Sequence, residues 1–378
     1  MTISSRGLER AWELYQDRLP YARMMASQGK KIIGYFCCYT PVELMTALDL
    51  VPYRIGGRTD EPVKEADAYL ETCVCSYVRS AFDMAICGEY DFLHGLVVPH
   101  TCDAMWRILN IWKLHKPLDY TYFIEVPHMA GPSSCHFLEQ ELKLFKNSLE
   151  QLVGRKITDE ALRDAIDTHN RARALLQEIY QYRKADPPLI SGTEIARVLA
   201  AGRGIPVEEF NELLLQVIHD IRTRESESRR KKPRVLIYGG EVDDPAIIEL
   251  IEECGAAVVM DDLCTGSRSF WEPVNLKENA MESLAAHYVE DIRCPRTFRP
   301  GKPEERFLYL LDFARDFNVQ GIILYLYRFC DGHALEAPGL KAYLNRKGFP
   351  VLHLEEEYTL LTKGQLRTRF QAFIETLG

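Results

Sequence analysis

Residues Gly321–Tyr358, GIILYLYRFCDGHALEAPGLKAYLNRKGFPVLHLEEEY, carry the pattern on which the fold reading rests. Gly321–Tyr327 and Phe349–Leu354 are continuous apolar runs. Strands of a parallel sheet covered on both faces read this way, whereas half-solvated strands alternate. Between the runs the spacing predicts a helix over about His333–Arg346, stopped by Gly348. In such β-α-β units ligands gather beyond the carboxyl ends of the strands, where strand hands over to helix. Cys330 stands at that handover, with Asp331, Gly332 and His333 behind it. One cysteine alone is ordinarily a buried structural thiol, so the rest of the chain has to supply partners before it acquires a chemical role.

The alternation continues upstream. Arg234–Tyr238 and Ala256–Met260 read as strands, with helices at about 244–254, 279–290 and 303–317 and a last one at about 363–376. A second set of strands lies near the N-terminus, at Lys31–Phe36, Val51–Ile55, Phe92–Val98 and Tyr120–Val126. Helices from Pro41, over 75–87 and from Asp103 separate them. Residues 135–183 are helical in pattern, with a start at Thr158-Asp159-Glu160 and a stop at Pro187-Pro188. A further helix starts at Pro206 and fades into the charged run Arg222–Lys232. The expected fold class is therefore α/β: two Rossmann/flavodoxin-like parallel-sheet domains, 1–134 and 233–378, joined by a helical segment, 135–232.

The 378 residues are 47% hydrophobic and 27% charged, as in an ordinary globular protein. A net charge of −9 argues against a general nucleic-acid binder. The one basic run, Arg229–Arg234, reads as a solvated linker. MTISSRGLERAWELYQDRL has no apolar signal region, and no apolar run approaches the ~18 residues of a membrane span. The expectation is a cytoplasmic protein with reduced thiols, whose eleven cysteines serve as buried thiols or metal ligands. Gly239-Gly240 follows a strand, yet neither G-x-G-x-x-G nor G-x-x-x-x-G-K-[ST] occurs, so no dinucleotide or nucleoside-triphosphate site is indicated.

The cysteines are not scattered. Cys37, Cys102, Cys264 and Cys330 each follow a predicted strand, and Cys75 lies at a helix start. Free N–H groups and the positive dipole end at such places suit an anionic metal–thiolate or iron–sulfur unit. None of the spacings is a ferredoxin run or a zinc C-x-x-C pair, so spacing alone leaves a shared metal site and separate structural thiols both open.

Several segments resemble the benzoyl-CoA reductase / 2-hydroxyacyl-CoA dehydratase family: CSYVRS (Cys75–Ser80), VVPHTCD (Val97–Asp103), DDLCTGSRSFW (Asp261–Trp271), the Cys294-Pro295-Arg296 turn, LYRFCDGHALEAPGLKAYL (Leu326–Leu344) and GQLRTRFQAFIE (Gly364–Glu375). IWKLHKPLDY (Ile111–Tyr120) is similar to the smaller benzoyl-CoA reductase subunit. The resemblance implies a [4Fe–4S] cluster on Cys75, Cys102 and Cys330, with Cys73 outside the matched pattern. It implies as partners a homologous second subunit, an ATP-hydrolysing iron–sulfur activator and an acyl-CoA substrate. His100 and His333, beside ligands in sequence, become candidate hydrogen-bond or proton donors, and Arg79 and Arg107 candidates for offsetting cluster charge. The implied reaction is aryl-CoA ring reduction, with 2-hydroxyacyl-CoA dehydration as the alternative. A relative in the family holds a double-cubane [8Fe–9S] cluster on six cysteines and acts as a homodimer; Cys37, Cys264 and Cys294 would be the additional three here. A paralogue with only structural thiols is the non-enzymatic reading.

Overall fold

Two sheets organise the chain, and both are wholly parallel. A computed structural model describes residues 6–224, 231–301, 303–361 and 363–378, so part of the basic run Arg229–Arg234 lies outside the described residues. Strands β1 (Ile32–Tyr35), β2 (Val51–Arg54), β3 (Gly95–Pro99) and β4 (Tyr120–Ile124) form the first sheet in the order β2-β1-β3-β4. Strands β5 (Arg234–Gly239), β6 (Ala257–Asp262), β7 (Gly321–Tyr327) and β8 (Val351–Glu356) form the second in the order β6-β5-β7-β8. The same winding is used twice, so the α/β class and the two flavodoxin-like sheets stand as read. Every residue of β5 and β7 is buried, which is why these strands are continuous apolar runs. In each sheet the winding reverses beside the first strand, between β1 and β3 and between β5 and β7. A crevice opens at such a switch point, beyond the carboxyl ends.

In chain order the helices are α1 (Arg6–Gln16), α2 (Arg18–Ser27), α3 (Val42–Thr46), α4 (Ser76–Ile86) and α5 (Asp103–His115). The helical segment holds α6 (Pro132–Val153), α7 (Asp159–Gln181), α8 (Gly192–Gly202) and α9 (Val207–Thr223). The last part has α10 (Ala246–Glu253), α11 (Ala280–Ala286), α12 (Leu308–Asp316), α13 (Asp331–Arg346) and α14 (Lys363–Glu375). Thr158 caps α7 by accepting the Ala161 N–H at 3.1 Å, the start read from sequence.

Three features differ from the sequence expectation. Helix α8 has no counterpart among the expected helices, yet it is closed by a capping box between Ser191 and Glu194. The opening helix α1, counted with the first domain in the sequence, packs on α8 and α9: Asp220 accepts the N–H groups of Gly7 and Leu8 at 2.7 and 3.0 Å. The helix expected over 279–290 is α11 followed by a π turn, His287–Asp291.

The two halves meet carboxyl edge to carboxyl edge. Arg54, ending β2, donates to both carboxylate oxygens of Glu241 beyond β5, at 2.6 and 2.8 Å, with both side chains nearly buried. Thr59 donates to Asp244 at 2.8 Å, and Tyr39 and Thr297 share a hydroxyl bond of 2.6 Å. The chain after β8 crosses back to the first half, where the Tyr358 N–H reaches Ser76 Oγ at 2.9 Å and its hydroxyl reaches Asp243 at 2.6 Å.

Candidate metal centre

Cys75, Cys102 and Cys330 are the N-cap residues of α4, α5 and α13. Each therefore stands before a helix whose first N–H groups lack intrahelical partners. Burial pushes the Cys75 thiol up to about 11, against backbone hydrogen bonds from Val78 and Tyr77 that pull it down. Burial likewise pushes Cys102 up to about 12, opposed by the Met105 N–H and reinforced by Cys75 and Cys37. Cys330 is raised well above the ordinary range, by burial first and then by Cys75 and Cys102, while the His333 N–H opposes. The three thiols, far apart in sequence, thus lie within electrostatic reach of one another. Cys102 is open to solvent and yet strongly desolvated, the environment of a cleft wall rather than a sealed core.

Four more thiols join them. Cys37, two residues beyond β1, has φ 63° and is lowered because the Cys38 thiol donates to it. Cys38 is raised by its bonds to Cys264 and Cys37, and Cys294 is raised by burial and then by Cys264. Cys264 Sγ lies 3.0 Å from Arg268 Nη1. Seven of the eleven cysteines therefore gather where the sheets face each other. Cys73 is exposed.

The other candidates separate. His333 is 3% exposed, with Nδ1 3.3 Å from Cys330 Sγ. His100 lies at the end of β3, half-buried, its Nδ1 2.7 Å from Glu125 Oε2. Arg79 is taken up by Asp67 at 2.5 Å and Arg107 by Asp103 at 2.5 Å, so both are ordinary ion-pair residues.

Behind Cys37 and Cys38 lies a cavity of about 150 Å³ between the first sheet, α7–α9 and the π turn. Leu176, Leu199, Ile205 and Phe270 line its apolar side. On its polar side, Arg54 Nε, Arg203 Nη1 and His287 Nε2 are buried and have no hydrogen-bond partner among the described residues. His287 Nδ1 is held by Asp291 at 3.1 Å. The two arginine N–H groups cost free energy until something accepts from them, while His287, its Nδ1–H given to Asp291, turns a bare Nε2 inward, so the cavity is shaped for a small apolar body bearing an acceptor.

Residues 37–377 match the family model described as 2-hydroxyglutaryl-CoA dehydratase, D-component. The chain belongs to this family. It is 30% identical to a subunit of the benzoyl-CoA reductase of Thauera aromatica, over 86% of both chains. It is 28% identical to the (R)-phenyllactyl-CoA dehydratase beta subunit of Clostridium sporogenes, over 93% of both. It is 25% identical to the beta subunit of (R)-2-hydroxyglutaryl-CoA dehydratase of Acidaminococcus fermentans, again over 93% of both. The cysteines of CSYVRS and VVPHTCD, inside the matched region, are the ones that cap α4 and α5.

The donor type, thiols at helix N-termini, is the one iron–sulfur clusters take. Thiolate is the soft ligand such iron takes, and three helix N-termini point partial positive charge at the sulfurs. A cation among the three thiols would also remove the penalty that burial now sets against their ionisation. Among the described residues no three His, Cys, Asp or Glu side chains form a group able to hold a metal ion. Sequence reasoning overlooked Cys38, Arg54, Arg203 and His287. Only Cys38 had a local signal, its adjacency to Cys37; the others are brought in by tertiary contacts alone.

Proposed function

We propose that this chain is the [4Fe–4S]-bearing subunit of an ATP-dependent, low-potential enzyme acting on an acyl-CoA thioester, with ring reduction of benzoyl-CoA or a similar aryl-CoA as its reaction. The observation that carries the reading is the placing of Cys75, Cys102 and Cys330 on three helix N-termini around one interdomain cleft. When bound there, a cluster with three protein thiolates supplies single electrons at low potential and keeps one iron free of cysteine. The three cysteines hold it, and Arg54 and Arg203 offer N–H groups that orient an acyl carbonyl in the cavity. The apolar wall excludes water, which low-potential chemistry requires. A volume near 150 Å³ suits a benzene-sized ring. His100, held by Glu125 through Nδ1, keeps Nε2 for moving a proton at the cleft, and His333 serves Cys330 as a hydrogen-bond donor.

The partners are a homologous second subunit and an ATP-hydrolysing iron–sulfur activator. Trp106, Phe329 and Leu335 support a protein surface over the cleft, because all three are exposed and stand within five residues of Cys102 or Cys330. A 2-hydroxyacyl-CoA dehydratase subunit is the second reading, favoured by the phenyllactyl-CoA relative. The gathering of Cys37, Cys264 and Cys294 keeps a double-cubane homodimer as a third.

The test is iron and acid-labile sulfide per chain in protein purified without oxygen, followed by turnover with activator. About four irons with matching sulfide support the single cluster, and about eight support the double cubane. Ring reduction of an aryl-CoA with the co-expressed partner supports the first reading, and dehydration of a 2-hydroxyacyl-CoA replaces it with the second. Folded protein without iron overturns all three.

A further inference from the structure

Helix α11 does not end in an ordinary loop but runs into the π turn His287–Asp291. Such wider turns recur at functional sites. This one holds its own first residue, for His287 gives its Nδ1–H to the Asp291 carboxylate four positions on, at 3.1 Å. A carboxylate only accepts, so the single proton of a neutral ring is on Nδ1 and Nε2 is an acceptor. His287 is 3% exposed, and its Nε2 has no partner among the described residues.

That nitrogen belongs to the wall of the cavity behind Cys37 and Cys38, where four hydroxyls are already committed. Thr40 donates to the Phe36 carbonyl at 2.8 Å, Ser269 to the Gly266 carbonyl at 2.8 Å, Thr265 to the Val242 carbonyl and Tyr288 to Glu43 at 2.8 Å. A hydroxyl has one proton to give, so none of the four serves His287. The donor has to come with whatever fills the cavity. Arg54 Nε and Arg203 Nη1 have the opposite need, an acceptor, and the two residues are joined by the bond from the Arg54 N–H to the Arg203 carbonyl at 2.9 Å. They come from β2 and the end of α8, whereas His287 comes from the π turn, so separate walls supply the donors and the acceptor.

We propose that His287 is a specificity-determining residue whose Nε2 accepts from a hydroxyl on the aryl ring, so that the substrate class is a hydroxylated aryl acyl group and not the bare ring. The proposal rests on the aryl-CoA reading above. With the acyl carbonyl held by the two arginines, a ring hydroxyl reaches the second wall across the ring. A hydroxyl on the carbon beside the carbonyl stays with the first. A site that hydrogen-bonds a substrate hydroxyl discriminates strongly against the analogue without it, because that analogue leaves a buried polar atom unpaired.

The experiment measures binding of benzamide and its three ring-hydroxylated isomers to the full chain at pH 8 by calorimetry. These probes keep the carbonyl and need neither cluster nor activator. At least one hydroxylated isomer is expected to bind about 10- to 100-fold more tightly than benzamide. Equal affinities in the wild type overturn the proposal without recourse to any variant, and so does an absence of binding by every probe. In His287→Phe, which keeps a buried ring and removes the acceptor, the preference is expected to vanish; a preference that survives in the folded variant overturns the role of His287. Should that variant fail to fold, Asp291→Ala, made at the more exposed end of the pair, is expected to narrow the preference by freeing the ring proton, and an unchanged preference overturns the assignment. Tighter binding of 2-hydroxy-2-phenylacetamide than of every ring-hydroxylated probe overturns the ring position. The aryl-CoA reading fails separately, on iron content and turnover, which these binding measurements do not touch.

Discussion

Replacing Glu43 with glutamine removes one charge at the point where all three parts of the chain meet. Glu43, in α3, is fully buried; Arg173 of α7 donates to it at 2.5 Å and Tyr288 of the π turn at 2.8 Å. Burial alone would raise this carboxyl, but Arg173 outweighs it and the group settles at about 2 against an ordinary 4.5. That difference of about 2.5 units corresponds to about 3 kcal/mol of stability at pH 7, the size expected for breaking a buried pair. A folded-state pKa below the unfolded one means the contribution is complete above pH 4.5 and is lost as pH falls toward 2. At pH 3.5 about 2 kcal/mol remains. Urea unfolding of wild type and Glu43→Gln, followed by tryptophan fluorescence at both pH values, reads this directly. With a slope of about 3 kcal/mol/M for a chain of this size, the midpoints should differ by about 1 M at pH 7 and by less at pH 3.5. Arg173 and Tyr288 line the cavity, so the variant should also weaken whatever binds there. A midpoint gap that is absent at pH 7, or that does not shrink on acidification, refutes the reasoning.

Cys102→Ser should lose iron and turnover together while circular dichroism stays that of the wild type, because Cys102 is exposed and belongs to neither hydrophobic core; full iron content in that variant removes Cys102 from the ligand set. Gly239→Ala should destabilise by about 1–3 kcal/mol, since a Cβ there would overlap the Tyr325 carbonyl oxygen of the paired strand, which cannot step aside; an unchanged urea midpoint contradicts that contact. His169 is lowered by burial to about 4, so the folded state keeps it neutral and loses stability as pH falls from about 6.5 toward 4. His169→Gln should flatten that part of the stability–pH curve, and an identical acid limb in the two proteins would place the titration elsewhere.

The unit β7–Cys330–α13–β8 was legible because burial on both faces leaves a signature every residue repeats. The helix-capping positions of Cys75 and Cys102 were legible for a similar reason, since a helix start is a local event. Helix α8 was not, because Pro187-Pro188 reads as a stop and the Ser191–Glu194 box lies just beyond it. The place of α1 was also out of reach. An apolar stripe says that a helix packs, not that Asp220, more than two hundred residues later, will hold its first turn. Arg54 with Glu241 and Arg268 with His333 are the same case, pairs made by the meeting of elements with no periodic trace in the chain.

Both switch points also carry backbone that only a constrained structure tolerates. Cys37 follows β1 with φ 63° and Phe329 follows β7 with φ 64°, each a non-glycine residue in the left-handed region. Such a residue costs on the order of 1–3 kcal/mol and persists where its surroundings hold it. Glycine would take either place without that cost, so the side chain itself has a use there. Around Cys37 the compensation is visible: the residue is buried, its sulfur accepts from Cys38, and the packing of the two halves surrounds it. Phe329 has no such enclosure, for its ring is 46% exposed at the cleft rim, one residue before Cys330. An aromatic ring kept at a strained position and left open to water points to a surface outside this chain as what it packs against. The partner subunit proposed above, seated over the cleft, would supply that surface and dry the site beneath it.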